Sequence, residues 1–191
     1  MRDRTAVVLD VVAELLESSG YDGWTLATVA RQARVSLRDV YKSFPNRSEL
    51  IIAAFSRWMS SHTYPDMTAP EGSSVPDALI WCFRRLLEPW EQHAGLITAY
   101  QRVLADPAGR DLQARSLAPF RAAVRLVLKR VDPTYAEDIS QVLSHVLLGL
   151  IIRVTWGELA MSEVLPHLER TIRLLMPDPA AVEQVVASAH S

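Results

Sequence analysis

Residues 36–42 combine side chains that can read the edges of DNA base pairs. The guanidinium of Arg38 can donate two hydrogen bonds to guanine, the carboxylate of Asp39 can accept one from cytosine, and Leu37 can contact the thymine methyl group. Hydroxyl and charged groups in and beside this stretch are suited to bind phosphates: Thr25, Ser36, Tyr41, Lys42 and Arg47. Such readout requires a helix whose N-terminal half is exposed.

Two short helices are predicted to position these residues. The first buries one face at i, i+3, i+4 and i+7 spacing, formed by Leu26, Val29, Ala30 and Ala33. Ser36 and Asp39 form an S-x-x-D cap at the start of the second helix, which buries Val40 and Phe44. Two helices joined by a three-residue turn are typical of a helix-turn-helix motif that enters the major groove. The alternative is a structural hairpin whose charges are only solvated.

Local charge favours the DNA-binding interpretation. Residues 25–48 hold five basic residues and one acidic residue, a net charge of +4, whereas the whole chain carries −2. Basic charge concentrated on one small element of an acidic protein is an electrostatic footprint for phosphate.

The first 50 or so residues resemble the DNA-binding domain of the tetracycline-repressor (TetR) family of transcriptional regulators. The residues that carry the resemblance are Arg4, 7–16, Gly20, Tyr21, Trp24, Thr25, Leu26, Val29, Ala30, Ala33, Val35, Ser36, Tyr41, Phe44 and Leu50. The family often has glycine where Arg34 stands, so Arg34 is expected to adopt an uncommon backbone conformation with positive φ. It often has Gly or Pro followed by a small hydroxyl residue where Arg38 and Asp39 stand, so base contacts cannot be transferred from other members.

Composition predicts an all-α chain of about nine helices. Of the 191 residues, 49% are hydrophobic and only seven are glycine, helical periods dominate, and strand alternation is absent. The expected division is a three-helix DNA-binding domain at 1–46 and a helical ligand-binding and dimerisation domain at 47–191. The second includes a connecting helix at 47–62 and a linker at 63–76 that contains three prolines.

The later helices are expected at about 79–90, where Pro89 should kink or end the helix, and at 96–104, which a turn at 106–109 closes. Others are expected at 117–131, 134–160 and 162–176, with a short one at 180–188. The helix at 134–160 is apolar nearly all round, which predicts that it packs on its own subunit and on a second chain. Residues 134–176 are therefore expected to form half of a homodimer interface, as the resemblance also implies. The alternative is a central helix of a monomer.

No pattern for catalysis, a metal or a cofactor is present. The five histidines lack zinc-site spacing, and neither a phosphate-binding glycine loop nor a G-x-S-x-G elbow occurs. Neither a signal peptide nor a membrane partner is expected, because the longest apolar run has seven residues and a membrane helix needs about 20. The single cysteine, Cys82, fits a reducing cytoplasm and is interpreted as a small hydrophobic residue, with a redox switch as the alternative.

Aromatic residues of the body, with Pro89 and Pro119 preventing close helix alignment, can line an apolar cavity, and the resemblance implies an inducer pocket. The candidate wall residues are Trp90, Tyr100, Leu104, Phe120, Val124, Leu147 and Ile151. The body is loosely similar to steroid-catabolism regulators of the TetR family, which implies a large apolar ligand such as a steroid or an acyl thioester. The leading hypothesis is a homodimeric repressor that a small apolar ligand releases from a palindromic operator. The alternatives are a constitutive regulator with no ligand, and a helical ligand carrier or enzyme with a structural hairpin.

Overall fold

Helices make up most of the chain in the computed structural model, which describes residues 3–62 and 67–177. The described residues form ten helices and no strand, which confirms the all-α prediction. The helices are α1 (Arg4–Ser19), α2 (Leu26–Ala33), α3 (Leu37–Ser43), α4 (Arg47–His62), α5 (Val75–Gln92), α6 (Gly95–Val103), α7 (Pro107–Ser116), α8 (Ala118–Leu128), α9 (Pro133–Thr155) and α10 (Met161–Leu175).

The first of two compact units joins the described residues up to 62 with residues 92–117. In this unit α1 packs against α2, α4 and α6, while α4 also packs against α6 and α7. Val12 and Leu16 of α1 and Leu50 and Phe55 of α4 are almost completely buried. α2 of the helix-turn-helix packs on α1, and α1 and α4 in turn pack on α6 or α7. The helix-turn-helix therefore belongs to a unit that also includes later helices of the chain.

The second unit joins residues 67–91 with residues 118–177. It contains most of α5 together with α8, α9 and α10, and the last two helices pack against each other. Its core includes Leu79 of α5, Leu143 of α9, and Leu168 and Ile172 of α10. The expected division at residue 46 follows chain order, whereas each compact unit draws on two separate stretches of chain.

One predicted turn is wrong, and this error accounts for the tenth helix. Residues 106–109, expected to close a helix as a turn, instead begin α7. The Asp106 side chain accepts a hydrogen bond from the backbone N–H of Ala108 at 2.9 Å, and Pro107 occupies the first helical turn. Asp followed by Pro is a helix-start signal, because the acid caps free N–H groups and proline needs no donor there.

The predicted linker also ends too late. Its last two residues, Val75 and Pro76, already belong to α5. The backbone N–H of Asp77 donates to the Ser74 hydroxyl at 3.3 Å, and this hydroxyl donates to the Asp77 carboxylate at 2.7 Å. Pro89 lies inside α5, which continues to Gln92, so proline does not end this helix.

The helix predicted at 134–160 stops five residues early. α9 ends at Thr155, and Gly157 follows with a φ of +74°. The N–H groups of Gly157 and Glu158 donate to the carbonyls of Val154 and Arg153, at 3.0 and 2.9 Å. This pair of bonds is the Schellman motif, in which glycine adopts the left-handed conformation at little cost. The helix predicted at 180–188 lies outside the described residues.

By length and composition alone, α9 is long and apolar enough to cross a membrane, a property that it shares with core helices of soluble proteins. The seven-residue apolar run at 146–152 understates this character, because further apolar residues precede it in α9, separated by Ser140, Gln141, Ser144 and His145.

Candidate DNA-binding site

The turn between α2 and α3 has the unusual backbone that the sequence predicts. Arg34 has φ 55° and ψ 42°, and among the described residues it alone combines a side chain with a positive φ. The Val35 N–H donates to the Ala30 carbonyl at 3.0 Å, and the Arg34 N–H donates to the Arg31 carbonyl at 3.3 Å. α2 therefore ends in a Schellman motif with arginine in the position that glycine favours.

Ser36 holds the start of α3, as its spacing to Asp39 predicts. The Asp39 N–H donates to the Ser36 hydroxyl at 3.1 Å, and this hydroxyl donates to the Asp39 carboxylate at 2.7 Å. That hydrogen bond is the largest cause that lowers the pKa of Asp39, and the charges of Arg4 and Lys42 add to it. The carboxyl group is therefore ionised at neutral pH and remains an acceptor.

The three predicted base-reading residues and two of the predicted phosphate ligands, Tyr41 and Lys42, share the exposed side of α3. Leu37, Arg38, Asp39, Tyr41 and Lys42 are all exposed. Tyr41 leaves 52% of its surface accessible, which is unusual for a large aromatic residue. Val40 is buried and Phe44 is half-buried, so these two attach the helix to the unit. The structure thus brings these predicted DNA contacts together on one surface.

The two other predicted phosphate ligands differ from each other. Thr25 is exposed at the start of α2 and accepts a hydrogen bond from the Thr28 N–H at 3.2 Å. Arg47 instead uses its guanidinium within the protein, where it lies 4.2 Å from the centre of the Trp24 ring. It also donates to the Tyr21 carbonyl and lies 3.8 Å from the Asp22 carboxylate.

Sequence reasoning missed one cation beside α3. Arg4, at the start of α1, lies close enough to Asp39 for its charge to lower the pKa of that residue. Helical periodicity identifies which residues share a face of one helix, but not which residues from separate helices meet. The sequence signal for cations near α3 was the excess of basic residues within 25–48. Arg4 lies outside that range, so this signal did not identify it.

The predicted ligand-wall residues divide between the two compact units. Phe120, Val124 and Leu147 line a cleft of about 820 Å³ in the second unit. Trp90 and Ile151 are buried in that unit but are not among the residues that line the cleft. Tyr100 and Leu104 belong to the first unit, where the Tyr100 ring lies 5.3 Å from that of Phe55. The described residues contain no group of three His, Cys, Asp or Glu side chains that could hold a metal ion.

Two sequence profiles match this chain. The profile described as bacterial regulatory proteins of the tetR family matches residues 8–54. The profile described as a tetracyclin repressor-like C-terminal domain matches residues 72–175, more than half of the chain. The chain belongs to the TetR family. The resemblance drawn from the first 50 residues is thereby confirmed.

Relatives of this TetR-family chain are regulators. An HTH-type transcriptional regulator from Mycobacterium bovis is 27% identical over 180 residues, covering 92% of this chain and 85% of that protein. The HTH-type transcriptional repressor KstR from Mycobacterium tuberculosis is 23% identical over 181 residues, covering 93% and 82%. A transcriptional regulator from Rhodococcus sp. Rha1 has a similar fold, with a TM-score of 0.74 at 18% identity, covering 91% and 96%. These matches confirm a DNA-binding transcriptional regulator and not an enzyme.

Proposed function

We propose that this TetR-family protein is a homodimeric repressor, bound to a palindromic operator through α3 and released by a small apolar ligand. The observation that carries the proposal is the exposed N-terminal half of α3, capped by Ser36 and attached by the buried Val40. Exposed donors and acceptors on a short, anchored helix can enter the major groove without rearrangement. Operator binding implies a cytoplasmic protein, which the single cysteine also favours.

Base recognition is assigned to three residues at the start of α3. Arg38 donates to guanine, Asp39 accepts from cytosine, and Leu37 contacts a thymine methyl group. The Ser36 hydroxyl bond occupies one oxygen of the Asp39 carboxylate. A carboxylate has about four acceptor positions, so Asp39 retains capacity for a base.

Phosphate binding is assigned to groups around this helix. Thr25 offers a hydroxyl at a helix N-terminus, Tyr41 offers its phenol, and Lys42 offers its charge. The Ser36 hydroxyl donates to Asp39, so it binds a phosphate only by turning its single proton away from that carboxylate. Arg47 is a special case, because Tyr21, Trp24 and Asp22 already engage its guanidinium. Its contribution is therefore proposed to come from the backbone N–H in the first turn of α4.

The dimer interface is assigned mainly to one face of α9. Val142 and Leu148 of α9 leave 40% and 53% of their surfaces exposed, and Trp156, the residue just after the helix, leaves 70% exposed. Gly149 lies on the same face with nothing close to the position of a side chain, so a second helix can approach closely there. Leu174 of α10 is a further exposed apolar residue. Exposed apolar patches of this kind mark association surfaces, and TetR-family regulators act as dimers.

A second copy of the chain fits this surface better than a membrane does. The opposite face of α9 forms part of the core of the second unit through Ile139, Leu143 and Leu150. A helix with one face buried in its own unit can bury the other against a partner. A two-fold dimer presents two recognition helices, which predicts half-site centres about 34–36 Å apart or a multiple of that spacing. The name of the relative KstR as a repressor supports repression over activation.

Ligand response is assigned to the cleft of the second unit. Its floor contains Phe83 of α5 and Phe120 of α8, and its volume lies within the usual range for ligand sites. α5 runs directly from this floor into the first unit, where His93 lies 3.0 Å from the Glu17 carboxylate of α1. A ligand that favours one arrangement of α5 could thereby shift α4 and the recognition helix, in proportion to its differential affinity.

Selection of duplex DNA by the purified protein tests the proposal. We expect an enriched palindrome whose arms lose enrichment at one base pair in the Arg38→Ala variant. Failure to enrich any duplex would favour the carrier or enzyme interpretation with a structural hairpin. A titration with steroids and acyl thioesters tests the proposed release by a ligand. Tryptophan fluorescence reports binding of each compound, and loss of operator binding reports release. Operator binding with no response to any compound would favour the constitutive regulator.

A further inference from the structure

Positive charge is concentrated in two segments of this acidic chain. Of the 20 basic and 22 acidic residues, residues 25–48 hold five basic and one acidic. Residues 118–131 hold four basic and no acidic residues, which leaves 11 basic and 21 acidic residues elsewhere. This second basic segment consists of α8 and the residues just after it, in the second unit. DNA recognition by α3 does not account for it.

Three of these cations form a ladder on one wall of the cleft. Arg121 and Arg125 are four residues apart on one face of α8, and Lys129 follows four residues later, just after the helix ends, where its N–H donates to the Arg125 carbonyl at 3.1 Å. All three line the cleft and are exposed, and the described residues show no ion pair for any of them. Like charges four residues apart destabilise a helix, so helix stability does not explain their placement.

The rest of the cleft is apolar at its floor and weakly polar on its far wall. Phe83, Phe120 and Leu143 are buried at the floor, where the two phenylalanine rings meet edge to face at 5.2 Å. On the α9 wall, Ser140 and Ser144 each donate to a carbonyl of their own helix at 2.7 Å. Glu137 is the single acidic residue among those that line the cleft. The net charge of the lining is therefore positive.

We propose that this cleft takes an amphiphile with an apolar body and a phosphate-bearing, multiply anionic head group. The apolar body lies on the phenylalanine floor, and Arg121, Arg125 and Lys129 bind the head group. This inference rests on the proposed ligand site and names the chemistry of its ligand. A sterol or another neutral molecule would leave the three cations without a partner, whereas a head with several phosphate oxygens pairs with all three.

Calorimetric titration with four probes of the same chain length tests the head-group assignment. The probes are lauroyl-CoA, lauroyl lysophosphatidic acid, laurate and 1-dodecanol, each below the concentration at which it forms micelles. We expect both phosphorylated probes to bind at least about tenfold more tightly than dodecanol. The affinity of laurate should lie between that of dodecanol and those of the phosphorylated probes. The preference should weaken as salt concentration rises.

Variants separate the ladder from general charge effects. Replacing Arg121, Arg125 and Lys129 together by glutamine should reduce the preference for phosphorylated probes to less than about threefold, with dodecanol affinity retained. These side chains are exposed, so the variant should fold, which circular dichroism checks. Arg170→Gln is the matched single control for Arg125→Gln, because Arg170 is an exposed arginine of the same unit outside the cleft lining. Only Arg125→Gln should lower the preference.

Each outcome bears on a distinct claim. Equal binding of charged and neutral probes to both the parent and the triple variant overturns the head-group inference and leaves an apolar ligand site intact. Absence of binding by all four probes overturns the inference and removes support for the ligand half of the proposed function, while operator binding still reports on the DNA half. A preference for lauroyl-CoA or for the lysophospholipid supports the inference and tells which source of the head group the cleft accepts.

Discussion

The guanidinium of Arg102, in α6, donates a hydrogen bond to the carboxylate of Asp22, in the loop between α1 and α2. The same guanidinium lies 4.5 Å from the centre of the Tyr21 ring, and Arg47 approaches Asp22 and Tyr21 as well. The loop that leads into the helix-turn-helix is thus held by one arginine from α4 and one from α6.

Replacing Arg102 by glutamine should loosen this loop without unfolding the protein. The ion pair is exposed and the Tyr21 ring is half-buried, so each contact contributes about 1 kcal/mol or less. Backbone amides of residues 20–25 should exchange hydrogen faster, as mass spectrometry can measure. Arg115→Gln on α7 is the control and should not change that exchange. Unaltered protection of residues 20–25 in Arg102→Gln would show that the contact does not order the loop.

Arg38→Ala should weaken the free energy of binding to the best operator by about 1–3 kcal/mol and relax the sequence preference at one base pair. Lys42→Ala should instead weaken binding to every sequence and reduce the salt slope by about one. Tyr41→Phe should likewise weaken all sequences alike. Fluorescence anisotropy with cognate and random duplexes over a range of salt measures both effects. An equal loss for Arg38→Ala on the two duplexes would refute a base-reading role.

Arg34→Gly should stabilise the protein, because glycine adopts the left-handed conformation of this turn without a steric penalty. We expect a gain of about 0.5–1 kcal/mol after the greater entropy of the unfolded chain is included. Arg31→Gly is a matched control in the last turn of α2 and should cost about 0.8 kcal/mol. Urea denaturation measures both changes. The same sign for the two substitutions would contradict the strained turn.

Leu148→Glu should convert the dimer to a folded monomer, because this side chain is exposed on the proposed interface and a charge there cannot be paired in the dimer. Ile151→Glu should unfold the second unit, since Ile151 is buried within its own chain, and Leu147→Glu should disturb the cleft that Leu147 lines. Light scattering and circular dichroism separate loss of association from loss of folding. A monomeric mass for the parent protein at micromolar concentration would rule out the interface.

Cys82 should behave as a buried hydrophobic residue rather than a redox switch. Burial raises the pKa of its thiol to about 11 from 9.0. Between these values the unfolded chain releases a proton that the folded chain retains, so the free energy of unfolding should fall as pH rises from 9 to 11. Urea denaturation across that range measures the slope, which Cys82→Ala should reduce. Rapid reaction of the native thiol with Ellman's reagent at pH 8 would contradict the assignment.

Local signals in the sequence were sufficient to predict the helix-turn-helix. Ser36 and Asp39 are three residues apart, and in the structure this pair caps α3. The positive φ of Arg34 was also predictable, because the turn requires a conformation that the family usually gives to glycine. Capping and helical periodicity act within one or two turns of a helix, so the order of residues alone determines them.

Contacts between distant parts of the chain required the tertiary structure. Arg47 was predicted to bind phosphate, but Trp24 and Asp22 come close enough to engage its guanidinium. The ladder of Arg121, Arg125 and Lys129 is visible in the sequence as a four-residue repeat, yet only packing of α8 beside α5 and α9 places it on a cleft. A side chain's partner depends on which helices pack together, and that depends on the summed burial of many apolar faces, which no local pattern specifies.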